Sequence, residues 1–135
     1  MEEHSVIGER ILANVEAYAE IATIVRHHHE RVDGQGYPDG IVYQDIPLIS
    51  RIICVADAYN AMTSDRPYRD AMPVEVARGR LVQAAGTQFD PEVAAAFDEI
   101  LETASETYSS GARSDFALEA QAHPELSGDV TASAA

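Results

Sequence analysis

The sequence predicts an all-α protein, a bundle of short helices that carries one long irregular loop. Apolar residues recur at spacings of three and four through most of the chain up to about residue 108, which is the period of an amphipathic helix. The segments that interrupt this period contain Gly and Pro, and two of them end in helix-start signals, Pro47 and Asp90 with Pro91. A length of 135 residues predicts one domain with a modest core.

The first helical stretch runs from Val6 to Glu30. Its apolar residues keep helical spacing throughout, namely Ile7, Ile11, Leu12, Val15, Tyr18, Ile21, Ala22 and Val25. A bend near Asn14 to Ala17 would divide this stretch into two helices.

A loop follows over residues 32 to 46, where Gly34, Gly36, Pro38 and Gly40 disfavour regular structure. The loop ends in a short piece, "IVYQDI", which we predict to be extended. The next helix then begins, with Pro47 in its first turn, and runs to about Ser64.

Two more helices follow the irregular segment "TSDRPYRDAMP". The first covers Val74 to Ala85. Asp90 caps the second, Pro91 takes its first position, and one apolar face is formed by Phe97, Ile100 and Leu101.

The composition changes after about Tyr108, where Ala, Ser, Gly and acidic residues replace large apolar ones. Such a segment buries too little apolar surface to offset the entropy of ordering it. We therefore predict a helical domain over residues 1–108 and a flexible, disordered tail over residues 109–135.

The charge balance is strongly acidic. Nine basic residues, all of them Arg, stand against 23 acidic ones, so the net charge is −14. This disfavours binding to DNA or to an anionic membrane, although a bound divalent ion would still permit a small anionic ligand. Cys54 is the only cysteine, and the N-terminus has no signal-peptide pattern, so we expect a soluble cytoplasmic protein. Cys54 lies in the apolar run "RIICVADAY", where we expect a small buried side chain rather than a reactive thiol.

Asp57 stands out in the predicted helix after Pro47. Its neighbours are Ala56 and Ala58, and Ile53 and Ala61 lie one turn before and after it. A carboxylate among packed apolar groups needs a cation, because burying it alone costs several kcal/mol. The partner would be either a metal ion or a salt-bridge or hydrogen-bond donor of the protein.

Three consecutive histidines lead into the loop in "RHHHERVDGQGYPDG". Histidine is the commonest metal ligand, and Glu30 could orient one of the ring nitrogens from behind. A solvated surface cluster is the alternative. The Cys and His spacing of a structural zinc site is absent from the sequence, and imidazoles with carboxylates suit iron, manganese or another octahedral divalent ion.

Several motifs resemble one family in their order along the chain. "HHERVDGQGYPDG" is similar to the signature of the HD-GYP proteins, and Gly36, Tyr37 and Pro38 stand at the tripeptide of that name. "HSVIGERIL" before it, and "IPLISRIICVADAYNAMTSDRPYRDAM" and "GTQFDPEVAAAF" after it, resemble the family's other motifs. The resemblance covers residues 4 to 101 and implies the C-terminal part of an HD-domain-like helical bundle with a GYP loop.

The resemblance implies a bacterial signalling hydrolase, a metal-dependent phosphodiesterase that opens cyclic di-GMP. The residues that match family positions are, as metal ligands, His4, His28, His29 and Asp57; as substrate-binding residues, Tyr37, Arg66 and Arg69; and as loop-shaping residues, Asp33, Gly34, Gly36 and Pro38. His27 precedes the signature and is expected to be incidental. For the two arginines, capping or salt bridges are the alternative.

The sequence also departs from the family. It contains neither the His-Asp pair that gives the family its name nor any Lys, so about half of the family's ligand set is missing and the metal content is open. One interpretation is a piece of a cyclic di-GMP phosphodiesterase. Another is a catalytically inactive module that binds a nucleotide, a diguanylate cyclase domain or a missing upstream segment. A third is an incomplete product without its own role. We expect Ile11, Val15 and Ile53 to be uncovered and to favour self-association.

Overall fold

The computed structural model of the protein describes residues 3 to 104, which fold into helices joined by turns and loops. The helices are α1 (Glu3–Ala13), α2 (Ala19–His27), α3 (Leu48–Thr63), α4 (Val74–Ala84) and α5 (Pro91–Thr103). Short 3₁₀ turns cover Glu16–Tyr18 and Tyr43–Asp45. No β-strand occurs between residues 3 and 104, so the predicted all-α class is confirmed.

The first helical stretch is divided where the sequence predicts a bend. α1 and α2 form a hairpin around the 3₁₀ turn, and they pack against each other more extensively than any other pair of helices described. The approach is close at Gly8, where an added Cβ would lie 2.9 Å from Val25 Cγ1. This hairpin brings the start of α1 beside the end of α2.

The main core lies between α3, α4 and α5. Its buried residues are Val55, Tyr59, Ala77, Leu81, Phe89, Ala94 and Leu101. The rings of Tyr59 and Phe97 meet edge to face with centroids 5.3 Å apart, an arrangement that aromatic pairs favour. α3 is therefore fixed on one side, and its opposite side remains available to the hairpin and the loop.

A buried ion pair connects α3 to α5. Asp90 is only 2% exposed and caps α5 as predicted, because its Oδ1 accepts hydrogen bonds from the backbone amides of Glu92 at 2.8 Å and Val93 at 3.4 Å. Its Oδ2 accepts from Arg51 Nη1 at 2.5 Å. The Arg51 guanidinium also stacks over the Tyr43 ring, 4.6 Å from its centroid. The Asp90 carboxylate therefore both caps the N-terminus of α5 and pairs with the mostly buried Arg51.

The prediction that "IVYQDI" is extended is wrong in the middle of the segment. Val42 and Ile46 are extended, but Tyr43–Asp45 forms a 3₁₀ turn because the amide of Asp45 donates to the carbonyl of Val42 at 2.8 Å. Pro47 lies just before α3 rather than inside it, and its carbonyl accepts the amide of Arg51 at 3.1 Å. α4 and α5 agree with the predicted helices to within a residue or two.

Apolar side chains remain uncovered on several helices. Ile11 is 65% exposed, and Val15 and Ile53 are also exposed, as predicted. Self-association through them stays a prediction. The predicted tail over residues 109–135 lies outside the described residues. Within residues 3–104 no helix combines the length and apolar character needed to cross a bilayer.

We predict that Asp90→Ala lowers the free energy of unfolding by about 3 kcal/mol, because it removes the cap of α5 and leaves the Arg51 charge largely buried without its partner. Urea denaturation followed by circular dichroism measures this change. Glu75→Gln is the control: it breaks an exposed pair with Arg78 and should change the free energy by about 0.5 kcal/mol or less. Equal, small effects of both substitutions would contradict the role given to Asp90.

Candidate metal centre

Three imidazoles converge where the α1–α2 hairpin closes. His4 lies in the first turn of α1, and His28 and His29 follow directly after α2. One ring nitrogen from each of the three lies within 4.8 Å of the others. The closest pair is His4 Nε2 and His29 Nε2 at 2.9 Å. The hairpin therefore joins ligands that are about 25 residues apart in the sequence, which we call the histidine cluster (His4, His28 and His29).

A backbone carbonyl orients the ring of His28. Its Nδ1 lies 2.6 Å from the carbonyl oxygen of Val25. A carbonyl can only accept a hydrogen bond, so Nδ1 is the donor, and in the neutral ring Nε2 is the nitrogen with the free lone pair. A metal-binding histidine commonly has its second nitrogen held in this way. Sequence reasoning assigned that task to Glu30, and the structure assigns it to the last turn of α2.

The pKa of His29 is lowered from its ordinary value. Burial is the largest cause, followed by the charges that His28 and His4 carry when protonated, while Asp57 acts in the opposite direction. A lowered pKa keeps the imidazole neutral at neutral pH, and the neutral ring is the form that binds a metal ion.

Asp57 is not surrounded by packed neighbours, and this part of the sequence interpretation is wrong. The buried residues of α3 are Ser50, Val55, Tyr59 and Thr63. Asp57 lies on another face and is exposed, as is Ile53. Its carboxylate is outside the group of three ring nitrogens but close enough to act on the pKa of His29. Asp57 is therefore solvated and needs no buried cation, and it lies near the histidine cluster.

The donor set of the histidine cluster fits a divalent ion. Metal–nitrogen bonds of roughly 2.0–2.2 Å place the ligands of one ion about 3–4.4 Å apart. In this cluster the closest pair of ring nitrogens is 2.9 Å apart and all three lie within 4.8 Å, so small side-chain adjustments would bring them to an ion. Imidazole nitrogens beside a carboxylate suit several first-row divalent metals. The chemistry of the site therefore permits one bound ion, with Asp57 as the nearby acidic group.

Tyr37 of the loop lies against the histidine cluster. Its ring stacks on the ring of His29 with centroids 4.9 Å apart and an interplanar angle of 28°. The amide of Tyr37 also donates to the carbonyl of His29 at 3.3 Å. The loop thus places an aromatic ring over one face of His29, a candidate metal ligand.

Glu30 holds this loop in place. Its side chain is buried, and Oε1 accepts hydrogen bonds from the amides of Asp39 at 2.7 Å and Gly40 at 3.1 Å. Gly36 packs directly on this segment: an added Cβ would lie 2.5 Å from Glu30 Cα and 2.3 Å from Arg31 N. No side chain larger than a hydrogen fits there. No hydrogen bond joins the Glu30 carboxylate to a histidine ring among the described residues. Its Oε1 is turned towards the amides of the loop instead.

Asp33 and Gly34 shape the beginning of the loop. Asp33 accepts hydrogen bonds from Arg31 through both oxygens and from the amide of Gln35 at 3.0 Å. The Arg31 guanidinium lowers the pKa of Asp33 to about 2. Gly34 has a φ of +80°, a conformation that side chains disfavour. Pro38, the fourth predicted loop residue, follows Tyr37 through a cis peptide bond.

A second acidic group beside the loop does not suit a metal ion. His27, Glu30 and Asp39 also bring one ligand atom each within 4.8 Å of the others. However, Arg26 donates to both oxygens of Asp39, at 2.7 and 2.8 Å, and lowers the pKa of that carboxyl to about 2. A divalent cation would have to displace or oppose this guanidinium. The group instead ties the loop to α2, a role that sequence reasoning missed for Arg26 and Asp39.

Arg66 and Arg69 lie in the segment after α3, not in the histidine cluster. Their backbones pair in a tight turn, with Arg66 N donating to Arg69 O at 2.8 Å. The Arg69 side chain donates to the carbonyl of Ala61, one helical turn beyond Asp57. Both arginines are exposed. The predicted capping alternative therefore applies to Arg69 in this structure, whereas the Arg66 side chain has no partner within residues 3–104.

Comparison with known proteins gives one family and several relatives. The profile of a family described as "HD domain" matches residues 1–93. The chain is 36% identical over 105 residues to a "3'3'-cGAMP-specific phosphodiesterase 3" of Vibrio cholerae, which covers 78% of this chain and 23% of that protein. It is 38% identical over 113 residues to a "Cyclic di-GMP phosphodiesterase" of Thermotoga maritima, with 80% and 30% covered.

The fold is also found in a solved structure. A crystal structure of a cyclic GMP-AMP-specific phosphodiesterase from Vibrio cholerae superimposes with a TM-score of 0.70 at 20% identity, and the match covers 87% of this chain and 27% of that one. This chain thus spans less than a third of the length of these relatives.

We predict that Gly36→Ala lowers the free energy of unfolding by about 1–3 kcal/mol, because the new methyl group would overlap the backbone of Glu30 and Arg31. Urea denaturation measures the change. Gly79→Ala is the matched control: a Cβ at Gly79 in α4 meets nothing within 4 Å, so the substitution should stabilise the helix by up to about 1 kcal/mol. A loop that tolerates alanine at Gly36 would contradict the packing described here.

Proposed function

The chain belongs to the HD-domain family, in its HD-GYP branch, and on that premise we propose that it is part of a metal-dependent phosphodiesterase that hydrolyses cyclic di-GMP. The observation that carries the proposal is the histidine cluster, which lies beside Asp57 and against Tyr37 of the loop. Relatives that are cyclic di-GMP and 3'3'-cGAMP phosphodiesterases support a cyclic dinucleotide as the substrate.

His4, His28, His29 and Asp57 would hold the metal ion. A bound divalent ion supplies Lewis acidity to the phosphodiester and activates the attacking water. Two features of the chain suit this role: the carbonyl of Val25 accepts a hydrogen bond from Nδ1 of His28 and leaves Nε2 as the nitrogen that faces away from that carbonyl, and the lowered pKa of His29 favours the neutral ring. We propose iron or manganese, because the donors are nitrogen and oxygen without a thiolate.

Tyr37, Arg66 and Arg69 would bind the substrate. The stacked position of Tyr37 on His29 places an aromatic ring at the edge of the proposed metal site. The arginines are exposed on the segment after α3, and a guanidinium binds phosphate through two parallel hydrogen bonds. Because Arg69 contacts Ala61 O in this structure, it would have to exchange that carbonyl for the nucleotide.

A nucleotide- or partner-binding module without turnover is the second candidate function. Within residues 3–104, the histidine cluster with Asp57 offers enough ligands for one ion, whereas two-metal hydrolysis uses a second ion about 3.5–4 Å away. The sequence also contains no Lys that could stabilise the negative charge of the transition state. The partner would be a diguanylate cyclase domain or an upstream segment that completes the ligand set.

We place the protein in the cytoplasm, where cyclic dinucleotides signal.

We predict that His28→Ala reduces the bound metal from about one ion per chain to almost none, because a site with few ligands has no replacement for a lost one. Elemental analysis after loading with manganese and gel filtration measures the stoichiometry. His27→Ala is the matched control, since His27 contacts Asp39 outside the cluster and should leave the metal content unchanged. Equal metal content in all three proteins would overturn the assignment.

We predict that the 135-residue chain alone hydrolyses cyclic di-GMP slowly or not at all, about 10²–10³-fold below a complete relative, because charge-stabilising groups of the transition state are missing. Chromatography of the linear dinucleotide, with manganese or ferrous iron added, measures the rate.

Fusion to the upstream segment of a relative should restore turnover, and His28→Ala in the fusion should abolish it. A fusion that binds metal but never cleaves would favour the binding module. Rapid hydrolysis of cyclic di-GMP by the 135-residue chain alone would contradict the predicted slow rate.

A further inference from the structure

Arg26 joins three parts of the chain at the corner that carries the histidine cluster. It lies in the last turn of α2, two positions before His28. Its Nη1 donates to Glu9 of α1 at 2.8 Å, and its Nε and Nη2 donate to the two carboxylate oxygens of Asp39 in the loop at 2.7 and 2.8 Å. Nε2 of His27 also lies 2.9 Å from Asp39 Oδ2. One guanidinium therefore holds both α1 and the loop to the end of α2, and we call Glu9, Arg26 and Asp39 the arginine clamp.

The first arm of the arginine clamp leads to His4. Glu9 follows His4 by five residues on α1, a rise of about 7.5 Å along the helix. A charge-assisted hydrogen bond between Arg26 and Glu9 opposes sliding of α1 along α2. The contact therefore bears on where His4 lies relative to the rest of the histidine cluster.

The second arm leads to Tyr37. Asp39 follows Tyr37 by two residues, and the Tyr37 ring stacks on His29 with centroids 4.9 Å apart. The backbone amide of Asp39 is bound by Glu30 and its carboxylate by Arg26, so this residue attaches the loop through main chain and side chain together. The side chain of Asp39 therefore ties the segment that carries the aromatic ring to the end of α2.

A clamp that only adds stability is the alternative. The side chains of Glu9, Arg26 and Asp39 are 30%, 27% and 34% exposed, and ion pairs with such exposure contribute little to the free energy of folding. Without the clamp, the hairpin still packs at Gly8 and the loop is still closed by buried Glu30. What the clamp adds is direction, because two parallel hydrogen bonds between a guanidinium and a carboxylate fix their relative orientation.

We propose that Arg26 is a positioning residue for the metal centre and for the loop. Through Glu9 it holds His4 near the other two imidazoles of the histidine cluster. Through Asp39 it holds Tyr37 over that cluster. The first arm rests on the proposed function, whereas the second rests on the observed stacking alone. Lysine could not replace this residue, because one ammonium is a point charge and cannot bind two carboxylates, one of them through two parallel bonds.

The first arm is tested by titrating the full chain with manganese while electron paramagnetic resonance measures the free ion. Glu9→Ala should weaken manganese binding about tenfold, the lower end of the loss expected when a group that orients a metal ligand is removed. Glu16→Ala is the charge control, because Glu16 is exposed and lies in the turn at the other end of the hairpin. It should stay within about twofold of wild type, and Asp39→Ala, which removes the same charge near the site, within about threefold.

The second arm is tested by proton NMR of the metal-free chain at alkaline pH, where the imidazoles are neutral. A ring stacked on His29 moves the ring-proton signals of that histidine upfield. Asp39→Ala should return these signals towards those of an unstacked histidine, whereas Glu9→Ala should leave them unchanged. His27→Ala is the matched control, because it removes the other contact of the Asp39 carboxylate, keeps the Arg26 pair and should leave the stacking as in wild type.

Arg26→Lys separates position from charge and stability. It keeps the positive charge, so the unfolding midpoint should change little, yet both the weaker manganese binding and the shifted His29 signals should appear. Full rescue by lysine would overturn the proposal. Losses that follow a lowered unfolding midpoint equally in every variant would also overturn it, since they would show a purely structural role.

The outcomes separate the inference from the proposed function. Wild-type affinity for manganese in Glu9→Ala would overturn the first arm, and unchanged His29 signals in Asp39→Ala would overturn the second. A wild-type chain that binds no manganese would contradict the proposed metal site and the first arm with it, while the NMR comparison would still decide the second arm.

Discussion

The buried carboxylate of Glu30 is the constraint on which the candidate site depends. It directly follows the histidine pair and accepts hydrogen bonds from the amides of Asp39 and Gly40, nine and ten residues further along the chain. The loop is thereby closed onto its own start, and Gly36 contacts the backbone of Glu30 and Arg31. Tyr37, between these two points of attachment, stacks on His29. Glu30 is therefore one buried contact that holds the proposed substrate loop beside the proposed metal ligands.

The hairpin of α1 and α2 provides the other half of this arrangement. Close packing at Gly8 and Val25 holds the helices together, and His4 meets His29 because the start of one helix lies beside the end of the other. Arg26 reinforces the corner, since it joins Glu9 of α1 to Asp39 of the loop. The histidine cluster thus depends first on the packing of the hairpin. α3 supports the same corner, since the hydroxyl of Ser50 donates to the carbonyl of Ile24 in α2 at 2.9 Å.

Local signals in the sequence were sufficient for the helices, because the apolar period and the cap at Asp90 act over a few residues. They singled out His4, His28 and His29, which stand in recognisable motifs and which the fold brings together; their role as metal ligands stays a prediction. The predicted burial of Asp57 was wrong, because its exposure depends on which face of α3 the other helices cover. Local signals failed for Glu30 in the same way, since its partners are loop amides that no spacing rule identifies.

Anomalous diffraction from a crystal of the full chain soaked in manganese tests the central claim most directly, because it locates the ion without reference to activity. We predict one strong peak among the ring nitrogens of His4, His28 and His29, with Asp57 nearby. We predict no peak at His27, Glu30 and Asp39, where Arg26 already neutralises the carboxylate of Asp39. A peak at that second group, or a histidine cluster without an ion in well-ordered crystals, would show that the metal site is not where we propose it.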